Sequence, residues 1–102
     1  MVRKHKSIVE ELASEAIRLG AETLEIEYKD GFEEVFAVKG GLGYGFARLR
    51  SSSREAASLR DELYRITKRK WSMTACGHKY ELRGRVYESF GENAFRVELR
   101  RV

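Results

Sequence analysis

Residues Ser7 to Val38, SIVEELASEAIRLGAETLEIEYKDGFEEVFAV, prescribe an amphipathic helix that feeds directly into a β-hairpin. Ser7 and Glu10 have capping-box spacing, in which each side chain satisfies a backbone N–H that the first turn leaves free. Ile8, Leu12, Ala16 and Leu19 recur at helical spacing and form an apolar stripe. Gly20 stands where a left-handed C-terminal cap is wanted. Leu24, Ile26 and Tyr28 then alternate with Thr23, Glu25 and Glu27, the pattern of a strand with one buried face. Asp30-Gly31 is a strong two-residue hairpin signal, because a type I′ turn needs positive φ at both central positions.

The remainder repeats this grammar without a proline, a low-complexity tract or a linker. Val35–Lys39 reads as the second strand and Gly43–Leu49 as a third, after the turn in GGLGYG. Ser52 or Ser53 opens a second helix, with Ser52 and Glu55 at capping-box spacing and Ala56, Leu59, Leu63 and Ile66 as its core stripe. Arg54, Asp61, Glu62, Arg65, Lys68 and Arg69 occupy its other face. Trp71–Cys76, Lys79–Ser89 and Ala94–Arg101 supply three more strands, separated by turns at Gly77-His78 and Gly91-Glu92-Asn93.

The order αβββαβββ predicts an α+β fold with two helices, at about 7–19 and 53–69, on one face of antiparallel sheet. The expected core includes Leu12, Ala16, Leu24, Ile26, Leu59, Leu63, Ile66, Leu82, Val97 and Leu99. GFARLR and AFRVELR close the two halves alike; an internal duplication is one reading and shared strand patterning the other.

A chain of 102 residues forms a single domain that buries roughly 60–70% of the unfolded surface, enough for one core without staples. Residues 1–6, MVRKHK, read as a flexible tail, since positive charge opposes the dipole at a helix N-terminus. Acidic residues follow instead of an apolar run, so this start is not a secretory signal. No segment approaches the ~20 apolar residues of a membrane span. The lone Cys76 excludes an internal disulfide framework and fits a reducing cytoplasm.

The net charge of +4 hides an asymmetry. Residues 1–47 hold 6 Lys+Arg against 9 Asp+Glu, and residues 48–102 hold 14 against 7. A basic second half points to a polyanion or an acidic protein surface as partner.

The run SEAIRLGAETLEIEYKDG resembles the domain that precedes the motor in type II secretion and type IV pilus assembly ATPases. Those domains carry a helix, a Gly-Ala-Ser-Asp-Ile-His-Ile-Glu segment and a strand hairpin. Gly20, Ala21, Ile26 and Glu27 match identically, and Leu24 conservatively. The resemblance spans residues 7–42 and implies a stand-alone binding module that acts through protein contacts. The family's Arg-Ile-Asp-Gly-x-Leu turn falls on Ala37, Val38, Lys39, Gly40, Gly41 and Leu42. With Ala37 and Lys39 replacing the Arg and Asp, the resemblance implies weak or absent ATP binding. No Walker motif is present, so the chain is not the motor itself.

No set of residues composes a reaction. GGLGYG lacks the Gly-x-Gly-x-x-Gly spacing and the strand–helix setting of a dinucleotide loop, and no Gly-Lys-Ser/Thr follows it. Cys76 and His78 have neither an orienting group nor enough companions for a metal site, and read as a buried thiol beside a turn histidine. Glu25, Glu27, Glu33 and Glu34 cluster across the first hairpin as a solvated acidic patch that would dock a basic partner. We therefore expect no catalytic residue, cofactor or metal.

The candidate binding surface is aromatic and basic. Tyr44, Phe46, Arg48 and Arg50 alternate onto one face of the third strand, with Gly43, Gly45, Ala47 and Leu49 on the other. Arg83, Arg85 and Tyr87 form a similar stripe on the fifth. An open face of this kind stacks bases and neutralises phosphates of single-stranded nucleic acid. The competing reading buries Tyr44 and Phe46 in the core and lets the arginines reach out at its edge.

Overall fold

The computed structural model describes residues 7–102, so the expected tail lies outside the described residues. Its elements are α1 (Ile8–Arg18), β1 (Thr23–Lys29), β2 (Phe32–Lys39), β3 (Leu42–Arg50), α2 (Arg54–Lys68), β4 (Trp71–Ala75), β5 (His78–Ser89) and β6 (Glu92–Arg101). This is the α+β order read from the sequence. All six strands form one antiparallel sheet in the order β3-β2-β1-β6-β5-β4.

All four hairpins use the same device, two residues with positive φ. The pairs are Asp30-Gly31, Gly40-Gly41, Cys76-Gly77 and Phe90-Gly91. This twist matches that of the flanking strands. The last two turns thus lie one residue or more before the predicted positions, because Cys76 and Phe90 occupy left-handed slots that glycine usually fills. Cys76 is consequently exposed rather than buried.

Helix α1 ends in a Schellman motif: Ala21 N–H donates to the Ala16 carbonyl and Gly20 N–H to that of Ile17, with Gly20 at φ +82°. At its start Ser7 accepts from the Glu10 N–H, but the reciprocal half of the expected box is absent. A carboxylate from α2 replaces it: Glu62 accepts from the Val9 N–H (2.8 Å) and from Ser7 Oγ (3.0 Å). Glu10 is thereby released to accept from Trp71 Nε1 at 2.7 Å. For α2 the cap is Ser53, which takes the Ala56 N–H, so the expected Ser52–Glu55 box does not form.

Both helices cover the face made by Leu24, Ile26, Val35, Ala37, Leu82, Phe95, Val97 and Leu99. On α1 the buried line is Val9, Ala13 and Ala16, small residues that permit close approach. Leu12 flanks this line half-buried, and Leu19, past the last turn, is exposed. The other predicted core positions are buried.

Candidate functional site

Among the described residues both helices lie on one face and leave the sheet's second face open, and register sets its contents in rows. One row reads Gly45, Phe36, Glu25, Arg96 and Arg85 across five strands; the next reads Gly43, Val38, Thr23, Glu98 and Arg83. At one end Arg50, Phe32 and Lys29 align, then Arg48, Glu34 and Glu27.

The third-strand stripe does not survive intact. A β-bulge sets Val35 opposite Ala47 but Phe36 opposite Gly45, leaving Phe46 as the extra residue. The alternation slips there. Tyr44 faces the helix side beside Ala37, exposed at the sheet edge, and Phe46 packs against the core. Arg48 and Arg50 lie on the open face as expected. Ala47 and Leu49 join the core, whereas Gly43 and Gly45 turn to the open face. There they make room for an aromatic ring: a Cβ on Gly45 would lie 3.4 Å from Phe36 Cε1. Phe36 thus lies along a glycine-floored strand with its ring half-buried.

Arg83, Arg85 and Tyr87 do share the open face. Tyr87 carries the Arg96 guanidinium over its ring at 5.6 Å, and Phe32 carries that of Arg48 at 4.0 Å. Burial, followed by the nearby carboxylates of Glu25 and Glu27, pushes the Tyr87 hydroxyl above its ordinary pKa, against the opposing charge of Arg96.

Charge is unevenly compensated. On the β1–β3 side, Arg48 pairs with Glu34 at 3.6 Å and Arg96 with Glu25 at 3.0 Å. The expected acidic cluster is split, since Glu33 turns to the opposite face. It is buried there, accepting from Ser51 Oγ (2.6 Å) and Arg60 Nη1 (3.3 Å). On the β5–β6 side an open cleft of about 1050 Å³ extends to the end of α2. Its lining includes seven cationic side chains, Lys68, Arg69, Lys70, Arg83, Arg85, Arg96 and Arg100, against Glu22 and Glu98. Among the described residues only Arg96 of these seven is in an ion pair.

Sequence reasoning missed Phe32, Phe36, Arg96 and Arg100. The alternation Phe32, Glu34, Phe36, Val38 was the available signal, hidden because the second strand starts three residues earlier than predicted. His78 bonds Arg101 at 2.9 Å, and Cys76 lies exposed at the preceding turn. Ala37 is a core residue and Lys39 lies beside Gly20. No helix among the described residues is long and apolar enough to cross a membrane. No protein-family model and no curated protein matches the chain.

Proposed function

We propose that the protein is a non-catalytic, cytoplasmic binding module for single-stranded nucleic acid. The strand lies across the open sheet face, with its backbone in the basic cleft. The observation that carries this reading is the juxtaposition of an aromatic and arginine face, open among the described residues, with cations that have no carboxylate partner among them. Lys68, Arg69, Lys70, Arg83 and Arg100 neutralise phosphates, which supplies affinity without sequence preference. Phe36 and Tyr87 offer ring surface for bases, since stacking tolerates any base. Single strands fit better than a duplex, whose bases are not free to stack on a protein face.

A second reading is protein–protein contact in the manner of the domain preceding the secretion motors. It draws on the residues Gly20–Glu27 and on a sheet edge that, among the described residues, has no partner strand beyond Leu82.

The deciding experiment is anisotropy of a labelled oligouridine titrated with wild type, Arg83→Glu/Arg100→Glu and Phe36→Leu. The charge-reversed variant should lose most binding. Phe36→Leu keeps the apolar cover over Gly43 and Gly45, and should weaken binding by about 1–3 kcal/mol with its melting little changed. Equal binding by all three proteins would refute the nucleic-acid reading and favour the second.

A further inference from the structure

The two borders of the sheet differ. Edge strand β3 carries a bulge, a device that blunts an edge against pairing. On the far side β4 covers β5 only from His78 to Leu82, so among the described residues Arg83 to Ser89 has a neighbouring strand on one side alone. This stretch keeps regular register with β6 throughout.

Hairpin geometry identifies the free groups. Ser89 and Glu92 flank a two-residue turn, and such a pair exchanges both of its hydrogen bonds. By alternation Tyr87, Arg85 and Arg83 also direct N–H and C=O to β6. At the Cys76-Gly77 turn Ala75 and His78 are the flanking pair, so His78, Tyr80 and Leu82 direct theirs to β4. Gly84, Val86 and Glu88 therefore point their backbone groups outward, unpaired by β4 or, among the described residues, by any turn or cap bond.

We propose that this edge pairs, antiparallel and two-fold symmetric, with the same edge of a second copy of the chain. The register is centred on Val86, so that Gly84 lies opposite Glu88 of the second copy. Shifting it by two residues in either direction leaves one outward residue of each copy unpaired.

Side-chain chemistry favours self-pairing over a foreign strand, because the complementarity is reciprocal. On the helix side Val86, 41% exposed in the single chain, meets its own counterpart. Glu88 of the second copy arrives beside Gly84, next to the end of α2 where Lys68 and Arg69 have no ion-pair partner among the described residues. On the open side Arg85 falls opposite Tyr87 of the second copy and Arg83 opposite Ser89, so no like charges oppose each other. The turn bearing Phe90, fully exposed in a left-handed conformation, is carried toward Lys70 at the start of β4. A two-fold axis normal to the sheet leaves both open faces on one side, doubling the aromatic and arginine surface. The inference does not rest on nucleic-acid binding and is tested without it.

Sedimentation velocity over a concentration series up to hundreds of micromolar reads the outcome. Wild type should show a concentration-dependent dimer. Glu88→Lys sets like charges together and should weaken the dimer by about tenfold or more, while Lys68→Glu/Arg69→Glu combined with Glu88→Lys should restore it. Val86→Pro removes an outward N–H and should also give monomer; circular dichroism checks its fold, and if it unfolds the charge-swap set decides. A wild type that stays monomeric throughout overturns the proposal. So does a dimer that Glu88→Lys leaves unchanged.

Discussion

Ile66 rests directly on Gly84: a Cβ built on that glycine would lie 2.9 Å from Ile66 Cγ2 and 3.4 Å from the Ile66 backbone carbonyl carbon. Gly84 thus sets how closely α2 seats on β5. Gly84→Ala should destabilise the fold by about 1–3 kcal/mol through overpacking. Ile66→Ala removes the clashing methyl, so the double variant should cost less than the sum of the two singles in urea denaturation. Additive losses would show that the helix end yields freely.

Glu33 is a carboxylate on the covered face of the sheet, held by Ser51 and Arg60. Arg60→Ala leaves it without its only cationic partner among the described residues. Because Arg60 is itself partly exposed, the expected loss is about 1–3 kcal/mol by denaturation. Glu33→Gln keeps an acceptor for Ser51 and should cost less.

Phe46 and Arg48 are two residues apart with opposite roles. Phe46 packs against the core and Arg48 stacks on Phe32 in the open. Phe46→Ala should lower stability by about 2–3 kcal/mol, less than for a fully buried ring. Arg48→Ala should cost under about 1 kcal/mol, since its ion pair with Glu34 is exposed. Thermal melts of both variants compare the two directly.

The raised Tyr87 pKa makes an alkaline prediction with a definite sign. Folding disfavours the phenolate, so the folded chain holds this proton to higher pH than the unfolded chain does. The contribution is fully present below the unfolded value near 10 and declines as pH rises through the folded one. Urea midpoints measured at about pH 9 and about pH 11 should fall less for Tyr87→Phe than for wild type. An identical fall in both would remove Tyr87 as a contributor.

The fold was legible because its signals are local. Gly20, Asp30-Gly31 and the alternation from Thr23 to Tyr28 each act within a few residues, and the helices follow from their caps and stripes. The candidate site was legible where the strands stay regular, at Arg83, Arg85 and Tyr87 on β5 and at Arg48 and Arg50 on β3 beyond the bulge. The bulge at Phe46 is a mismatch between two strands, invisible in either alone, and it moved Tyr44 and Phe46 off the open face. Glu62 capping α1 and Trp71 bonding Glu10 are contacts between residues more than fifty positions apart. Local pattern assigns such carboxylates to their own helix, so the Ser7–Glu10 box is only half formed, whereas the Ser52–Glu55 box fails because the cap is one residue later, at Ser53. The basic cleft arises only when the end of α2 meets β5 and β6.

The central claim, that phosphates of a single strand are neutralised by the cleft, is tested most directly by salt. Anisotropy of a labelled oligouridine with the wild-type protein should show log affinity falling linearly with log salt concentration. With the five phosphate contacts of Lys68, Arg69, Lys70, Arg83 and Arg100 at about 0.7 ion released each, the slope should be about −3.5. Arg83→Ala should make it shallower by roughly one contact. Binding that does not change with salt, or no binding at low salt, would contradict the account.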